Sequence, residues 1–405
     1  MSFEGVTVNK LNGGLGRTNP SDDNVFMLIY QAAIAVPGIT AGVSTLLTSI
    51  EDLEALGVDA SYDDNNNELL YYSIREYFRL APEAILHLVI IVNSSRTTHA
   101  NLLTVALPAI NQSEKVKGIG IMAMKDGPAN VAPEAVQTVI NDLAIGHRLI
   151  DFIILDGYGD PTYDINSLPD MRALNAPNVS VVISQDPLIA TSKSEYAAYA
   201  DIGAALGMLS IRQINENLGS VNVINKPGLR KGDPDYSLTW NDRWLGSNLS
   251  NGIDVATLTK QQKNLINSKG YIFAGSYAGY GGVFFNGSPT CVEYSSDYAY
   301  IENNRVWNKA ARLIRNTMLP EVKGIVKKDP KTGYIKSTTI GRWMGMINAA
   351  LETMVAANEL SGFDAYINPN QLLSESSPLL IKARLVIDDI IHEISVDLGL
   401  SKSVA

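Results

Sequence analysis

Apolar residues fall along this chain in short unbroken runs separated by amphipathic stretches. The runs at 86–92, 118–124, 152–155 and 179–183 are short and continuous. Between turn signals, that pattern predicts strands covered on both faces. Helical spacing occupies 98–107 and 134–145, and a longer helix is predicted over 194–217, rich in Ala, Gly and Leu on more than one side. Strands alternating with helices predict a parallel α/β sheet. Upstream, 25–31 is a further apolar run and 43–48 a short strand. Ser49 then caps a helix with Glu51 and Asp52 in its first turn, where the helix dipole favours them. A second helix is predicted over 66–80, stopped before Pro82.

The two ends of the chain differ from this middle. Val6 and Val8 alternate with Thr7 and Asn9 until Gly13-Gly14-Leu15-Gly16 breaks the pattern. A strand there has no partner in local sequence and must pair elsewhere, on its own chain or a neighbour's. Pro227, Gly228, Gly232 and Pro234 mark 225–240 as a domain boundary. Beyond it come a Gly- and aromatic-rich stretch with strand character at 271–285 and helices at 302–319 and 338–360. Two alternating segments close the chain: Ile381, Ala383 and Leu385, then Ile394, Val396 and Leu398, with Asp388-Asp389 as the expected turn between them. The organisation predicted is an N-terminal arm at 1–20, a parallel-sheet α/β domain at 21–225, an α+β domain at 226–390 and a C-terminal strand or arm at 391–405.

Composition narrows the function. At 405 residues two domains are expected. Hydrophobic residues make up 46% and charged residues only 18%, which suits a surface covered in an assembly. A net charge of −10 argues against general nucleic-acid binding, which needs a basic surface. The lone cysteine, Cys291, excludes an intrachain disulfide. The sequence has no signal-peptide pattern and no apolar run of ~18 residues, so folding in the cytoplasm without direct membrane insertion is expected.

Candidate chemistry is sparse. His87, His99, His147 and His392 are not at metal-binding spacing, and no Gly-x-Ser-x-Gly elbow or phosphate loop ending Gly-Lys-Ser/Thr occurs. No catalytic residue, cofactor or metal is therefore expected. Polar residues do follow the central strands: Asn93-Ser94-Ser95, Lys125-Asp126, Asp156-Gly157 and Ser184-Gln185-Asp186. Ligands bind at the carboxyl ends of strands in open parallel sheets, although such residues are also ordinary turn and cap formers. The run Lys10 to Gly16 resembles the nucleotide-binding loop of sugar-nucleotide uridylyltransferases, so a phosphate-binding enzyme using Gly13 and Gly14 is the alternative. The downstream Pro-Lys of those enzymes is absent, since Arg17 to Asp23 reads Arg-Thr-Asn-Pro-Ser-Asp-Asp. A soluble binding module is a third reading. Arg305, Lys309 and Arg312 share one face of the 302–319 helix, either as a solvated polar face or as a contact with an acidic inner partner.

Three stretches together resemble contractile, phage-tail-like sheath proteins. The first is Leu46 to Gly57, followed by the helix ending Glu76-Tyr77-Phe78 and the strand from Leu86. The second is Gly281-Gly282-Val283-Phe284-Phe285 through Thr290, then Asp297 to Ile301 and Arg305-Val306. The third is Ile391 to Leu398. The Gly-rich 11–17 segment looks like a divergent, Mu-like branch of that family. The resemblance implies a virion-tail or injection-particle subunit that forms a helical homo-oligomer around an inner tail-tube protein. Baseplate or tail-terminator proteins would be further partners. It also implies strand pairing between copies through Val6, Val8, Ile394, Val396 and Leu398, and contraction by repacking of subunits.

Overall fold

The computed structural model of the chain describes residues 22–94, 97–123, 131–157, 163–374, 377–396, 398 and 400. It parts into two compact units, residues 1–312 and 313–405.

The first unit is built on a seven-stranded sheet of order β2-β3-β1-β4-β5-β6-β9. Its strands are β1 (Phe26–Ala32), β2 (Ser44–Leu47), β3 (Leu86–Val92), β4 (Gly118–Met122), β5 (Phe152–Asp156), β6 (Val179–Val182) and β9 (Tyr271–Ile272). Only β2 runs antiparallel to its neighbour; β1 lies between β3 and β4, paired in parallel with both. Every residue of β1, β4 and β5 is buried. That is why these strands read as continuous apolar runs and do not alternate. Side chains alternate between two cores. Phe26, Leu28 and Tyr30 point to one core, Met27 and Ile29 to the other.

Helices cover both faces: α1 (Ile50–Ala55), α2 (Ala60–Asn66), α3 (Leu70–Leu80), α4 (His99–Gln112), α5 (Pro133–Ile145), α6 (Pro187–Ala190), α7 (Ile202–Ser210) and α8 (Lys260–Ser268). Helices α3 and α7 pack in the core of Phe26 and Tyr30, α4 and α5 in that of Met27 and Ile29. Two-residue strands β7 (Ser184–Gln185) and β8 (Asn248–Leu249) pair with each other, as do β10 (Ala274–Gly275) and β11 (Phe284–Phe285). Helix α9 (Ile301–Met318) runs out of this unit. In the second unit follow α10 (Ser337–Ala356) and the antiparallel strands β12 (Gly362–Ile367) and β13 (Ile381–Val386). Among the described residues no helix is long and apolar enough to cross a membrane.

Four expectations need correction. The 66–80 helix begins only at Leu70, as α3, because α2 ends on Asn67 with a left-handed φ of 54° and the Asp63 carboxylate accepts the Tyr71 and Tyr72 amides at the start of α3. The 194–217 helix shrinks to α7. Gln185 Nε2 takes the carbonyls of Ala197 and Tyr199, and Asp201 restarts the helix by capping Ala204. At the far end Arg212 takes the carbonyls of Met208, Asn217 and Ser220. The boundary expected at 225–240 falls within the first unit, where Tyr236 and Leu238 are buried in the α3/α7 core. Strand 381–386 pairs with β12 and not with 394–398. Ser361 bonds both Val386 O and the Asp388 carboxylate, which holds 386–388 against the start of β12 and removes Asp388 from the expected turn.

Candidate functional site

The second unit holds α10 and a two-stranded sheet. Ile340, Trp343, Ile347, Leu351 and Met354 form one buried stripe along α10 at helical spacing. Glu321 anchors the start of that helix: both its oxygens take Arg342 at 2.6 Å, and Oε2 also takes Trp343 Nε1 at 2.9 Å. Among the described residues the strands that follow are β12 and β13, a two-stranded sheet in which neither has a second strand partner. An isolated hairpin of this kind is at best marginally stable in water. Its side chains are mostly uncovered, with Tyr366 52% and Val386 59% exposed.

Past Val386 the chain is open. Residues 387–396 lie in no strand. Ile391, Ile394, Val396 and Leu398 are 77%, 75%, 76% and 93% exposed. In an extended conformation Ile394, Val396 and Leu398 would share one side. Apolar side chains exposed in series mark an interaction surface. Val6, Val8, Gly13 and Gly14 lie outside the described residues, as do Ser95, Lys125 and Asp126.

The basic stripe of α9 faces inward. Arg305 is fully buried and donates to Asn24 Oδ1 at 2.5 Å. Lys309 meets Asp23 at 2.7 Å and Arg312 meets Asp151 at 2.7 Å. Burial pushes the Asp23 carboxyl up, but the Lys309 ammonium outweighs it and holds the carboxyl below its ordinary range. These cations fasten α9 to the segment before β1 and to the residue before β5. Arg305 is buried, and Lys309 and Arg312, about a fifth exposed, are each paired with an acid of this chain.

The strand-end carboxylates are likewise structural. Asp156 binds His99 Nε2 at 2.5 Å and the Ala123 amide at 3.0 Å. Asp186 takes Arg243 Nε at 2.9 Å and the Trp244 amide at 3.3 Å. Among the described residues no group of three or more His, Cys, Asp or Glu is placed to hold a metal.

Two other buried carboxyls give a pH prediction. Burial raises Asp63 to about 7, against amide bonds to the start of α3. Burial, then the nearby Glu76, raises Asp201 to about 7, although it caps α7 and accepts Tyr72 Oη at 2.7 Å. Both folded values exceed the ordinary 3.8. The folded state therefore holds more protons, and stability falls as pH rises between about 4 and 7. The stabilisation is full below about pH 4 and gone above about pH 7. Asp201→Asn should flatten the fall in melting temperature between about pH 5 and 7.5 relative to the wild type. Parallel curves would contradict the assignment.

Two family descriptions match the chain: "DUF2586, N-terminal domain" over residues 3–288 and "DUF2586, C-terminal domain" over residues 297–404. No curated protein matches it. Among solved structures, a chain of the anti-feeding prophage helical sheath in its contracted state has a TM-score of 0.61 at 14% identity, covering 100% of both chains. A chain of the 6-fold symmetrised baseplate of that particle gives 0.61 at 14%, and one of its contracted baseplate 0.60 at 12%, each covering 99% of both chains. At these identities the likeness is one of fold.

Proposed function

We propose that this chain, which belongs to the DUF2586 family, is a structural subunit of a contractile, phage-tail-like injection particle and works by polymerising, without a catalytic step. The observation that carries this reading is the end-to-end likeness to a helical sheath subunit, with no part of either chain left over. An enzyme with an added domain would not match in that way.

The exposed tail gives the reading a mechanism. Strand addition joins chains through main-chain hydrogen bonds, with alternate side chains setting the register. In this proposal Ile394, Val396 and Leu398 of one copy, and Val6 and Val8 of another, complete the β12–β13 sheet of a neighbour. A head-to-tail contact that does not close on itself generates a helix. The helix would surround an inner tube and end on baseplate or terminator proteins. Contraction would be rigid-body repacking of subunits that stay joined through their strands. The particle would assemble in the bacterial cytoplasm.

Removal of residues 394–405, or of 1–15, tests the mechanism. Each truncated chain should elute as a folded monomer with wild-type circular dichroism; Ile394, Val396 and Leu398 are exposed and belong to neither core of the first unit. Wild-type assembly by either truncation would contradict the proposed strand exchange.

A further inference from the structure

A second polar surface stands apart from the tail. Residues 322–336 carry Lys323, Lys327, Lys328, Lys331 and Lys336 against the single acid Asp329. That is a net +4 in fifteen residues, leaving −14 for the rest of a chain whose formal charge is −10. The segment is built, not loose. Lys328 bridges Ile335, Asp329 N donates to Tyr334 O at 2.8 Å, and Lys336 N donates to Lys327 O at 3.1 Å, which makes 327–336 a hairpin. Asp329 shapes the turn, accepting the amides of Lys331 and Thr332 at 2.9 and 3.0 Å. All five lysines are exposed. Among them stand Val322, 63% exposed, and Ile325, 98% exposed. A solvated hairpin has no use for two aliphatic side chains at its base, whereas a docking surface does.

The opposite surface is also present on this chain. No Lys or Arg occurs between Arg17 and Arg75. Within that gap, residues 50–68 hold seven acids. Asp63 and Glu68 are buried, while Glu51, Glu54, Asp59 and Asp64 are exposed along α1 and α2. Lys193 lies 3.5 Å from Asp64. The α1–α2 stretch therefore carries the opposite charge to the hairpin.

We infer that the lysine hairpin of one copy docks on the α1–α2 acidic face of a second copy. The lysines face Glu51, Glu54, Asp59 and Asp64. The inference rests on the polymer reading above and adds a contact distinct from strand exchange. A single exposed ion pair holds little. Opposed arrays of charge orient the encounter and reject misaligned copies, and their effect falls with salt. The two surfaces differ, so the contact is head to tail and propagates.

The test is a charge swap on the full chain, read by sedimentation of polymer. One variant carries Lys323→Glu, Lys327→Glu and Lys328→Glu; the other carries Glu51→Lys, Glu54→Lys and Asp64→Lys. Each alone should need at least about tenfold more protein to polymerise, because like charges then meet. An equimolar mixture should recover sedimenting polymer, since each variant supplies the surface the other lacks. Wild-type assembly should weaken as salt is raised from ~0.05 to ~0.5 M. Thermal melts confirm that each variant is folded, and the salt series stands if one is not. Variants that polymerise like wild type, a folded pair that fails to rescue, or salt-indifferent assembly would overturn the inference and leave strand exchange standing. Wild-type protein that never polymerises would remove the polymer reading itself.

Discussion

Gly203→Ala should destabilise the first unit by about 3 kcal/mol, at the upper end for an overpacked core. Gly203 lies in the second turn position of α7, where that helix crosses α3. A Cβ there would sit 2.0 Å from the Ser73 carbonyl oxygen and 2.7 Å from its carbon. These are backbone atoms of a helix and cannot swing away, so α3 and α7 would have to separate. One turn on, Gly207 leaves only 2.9 Å to the Tyr77 carbonyl, which fixes the same close approach. Separation would open the core that Leu70, Ile74, Leu206 and Leu209 share. Urea unfolding followed by circular dichroism gives the measurement. Gly341→Ala in α10 is the control: nothing lies within 4 Å of its Cβ position. There the change should be neutral or stabilising by up to about 1 kcal/mol, the ordinary helix preference of Ala over Gly. Equal effects at the two sites would contradict the packing argument.

Asp186→Ala should cost about 3–5 kcal/mol, as expected when one member of a buried ion pair is removed. Asp186 is 1% exposed and holds Arg243, whose guanidinium also stacks 4.9 Å from the Tyr72 ring centre. Around it the chain makes an unfavourable turn. Asn241, Asp242 and Trp244 have φ of 53°, 57° and 53°. The left-handed region suits Asn and Asp but not a bulky aromatic residue. The turn is held by Asp186 on Arg243 and the Trp244 amide, and by Arg79 on the carbonyls of Leu238 and Trp240. Without the carboxylate, Arg243 remains buried and unpaired and the left-handed Trp244 loses its anchor. Hydrogen exchange should rise first at residues 240–246 while the β4 and β5 amides keep their protection. A loss below about 1 kcal/mol would show that the pair is not what holds the turn.

Much of the fold was legible because its physics is local. Strands β3, β4, β5 and β6 are buried on both faces, and such strands appear as unbroken apolar runs. Helices α4, α5, α9 and α10 follow from their periodicity to within a few residues. What could not be read depends on partners far away in sequence. The spacing of Arg305, Lys309 and Arg312 places them on one face, but spacing does not reveal that Asp23 and Asp151 wait beneath it. The break ahead of α7 depends on Gln185 reaching carbonyls twelve and fourteen residues on. Strand β12 lacks a clear alternation: its buried and exposed positions follow α10 and β13, and β13 lies beyond a connection of thirteen residues. The alternation of Ile394, Val396 and Leu398 was legible, but the sequence placed it in a hairpin with 381–385, and only the pairing of β13 with β12 shows that partner to be taken. The lysine hairpin was not read from the sequence, and its backbone bonds define it.

The central claim, that copies of this chain join through their own terminal strands, is tested most directly by negative-stain electron microscopy. Concentrated full-length protein would be imaged beside the chain lacking residues 394–405. Hollow tubes or stacked rings from the full chain, with only single particles from the shortened one, are expected. Tubes from both preparations, or single particles from both at every concentration, would contradict it.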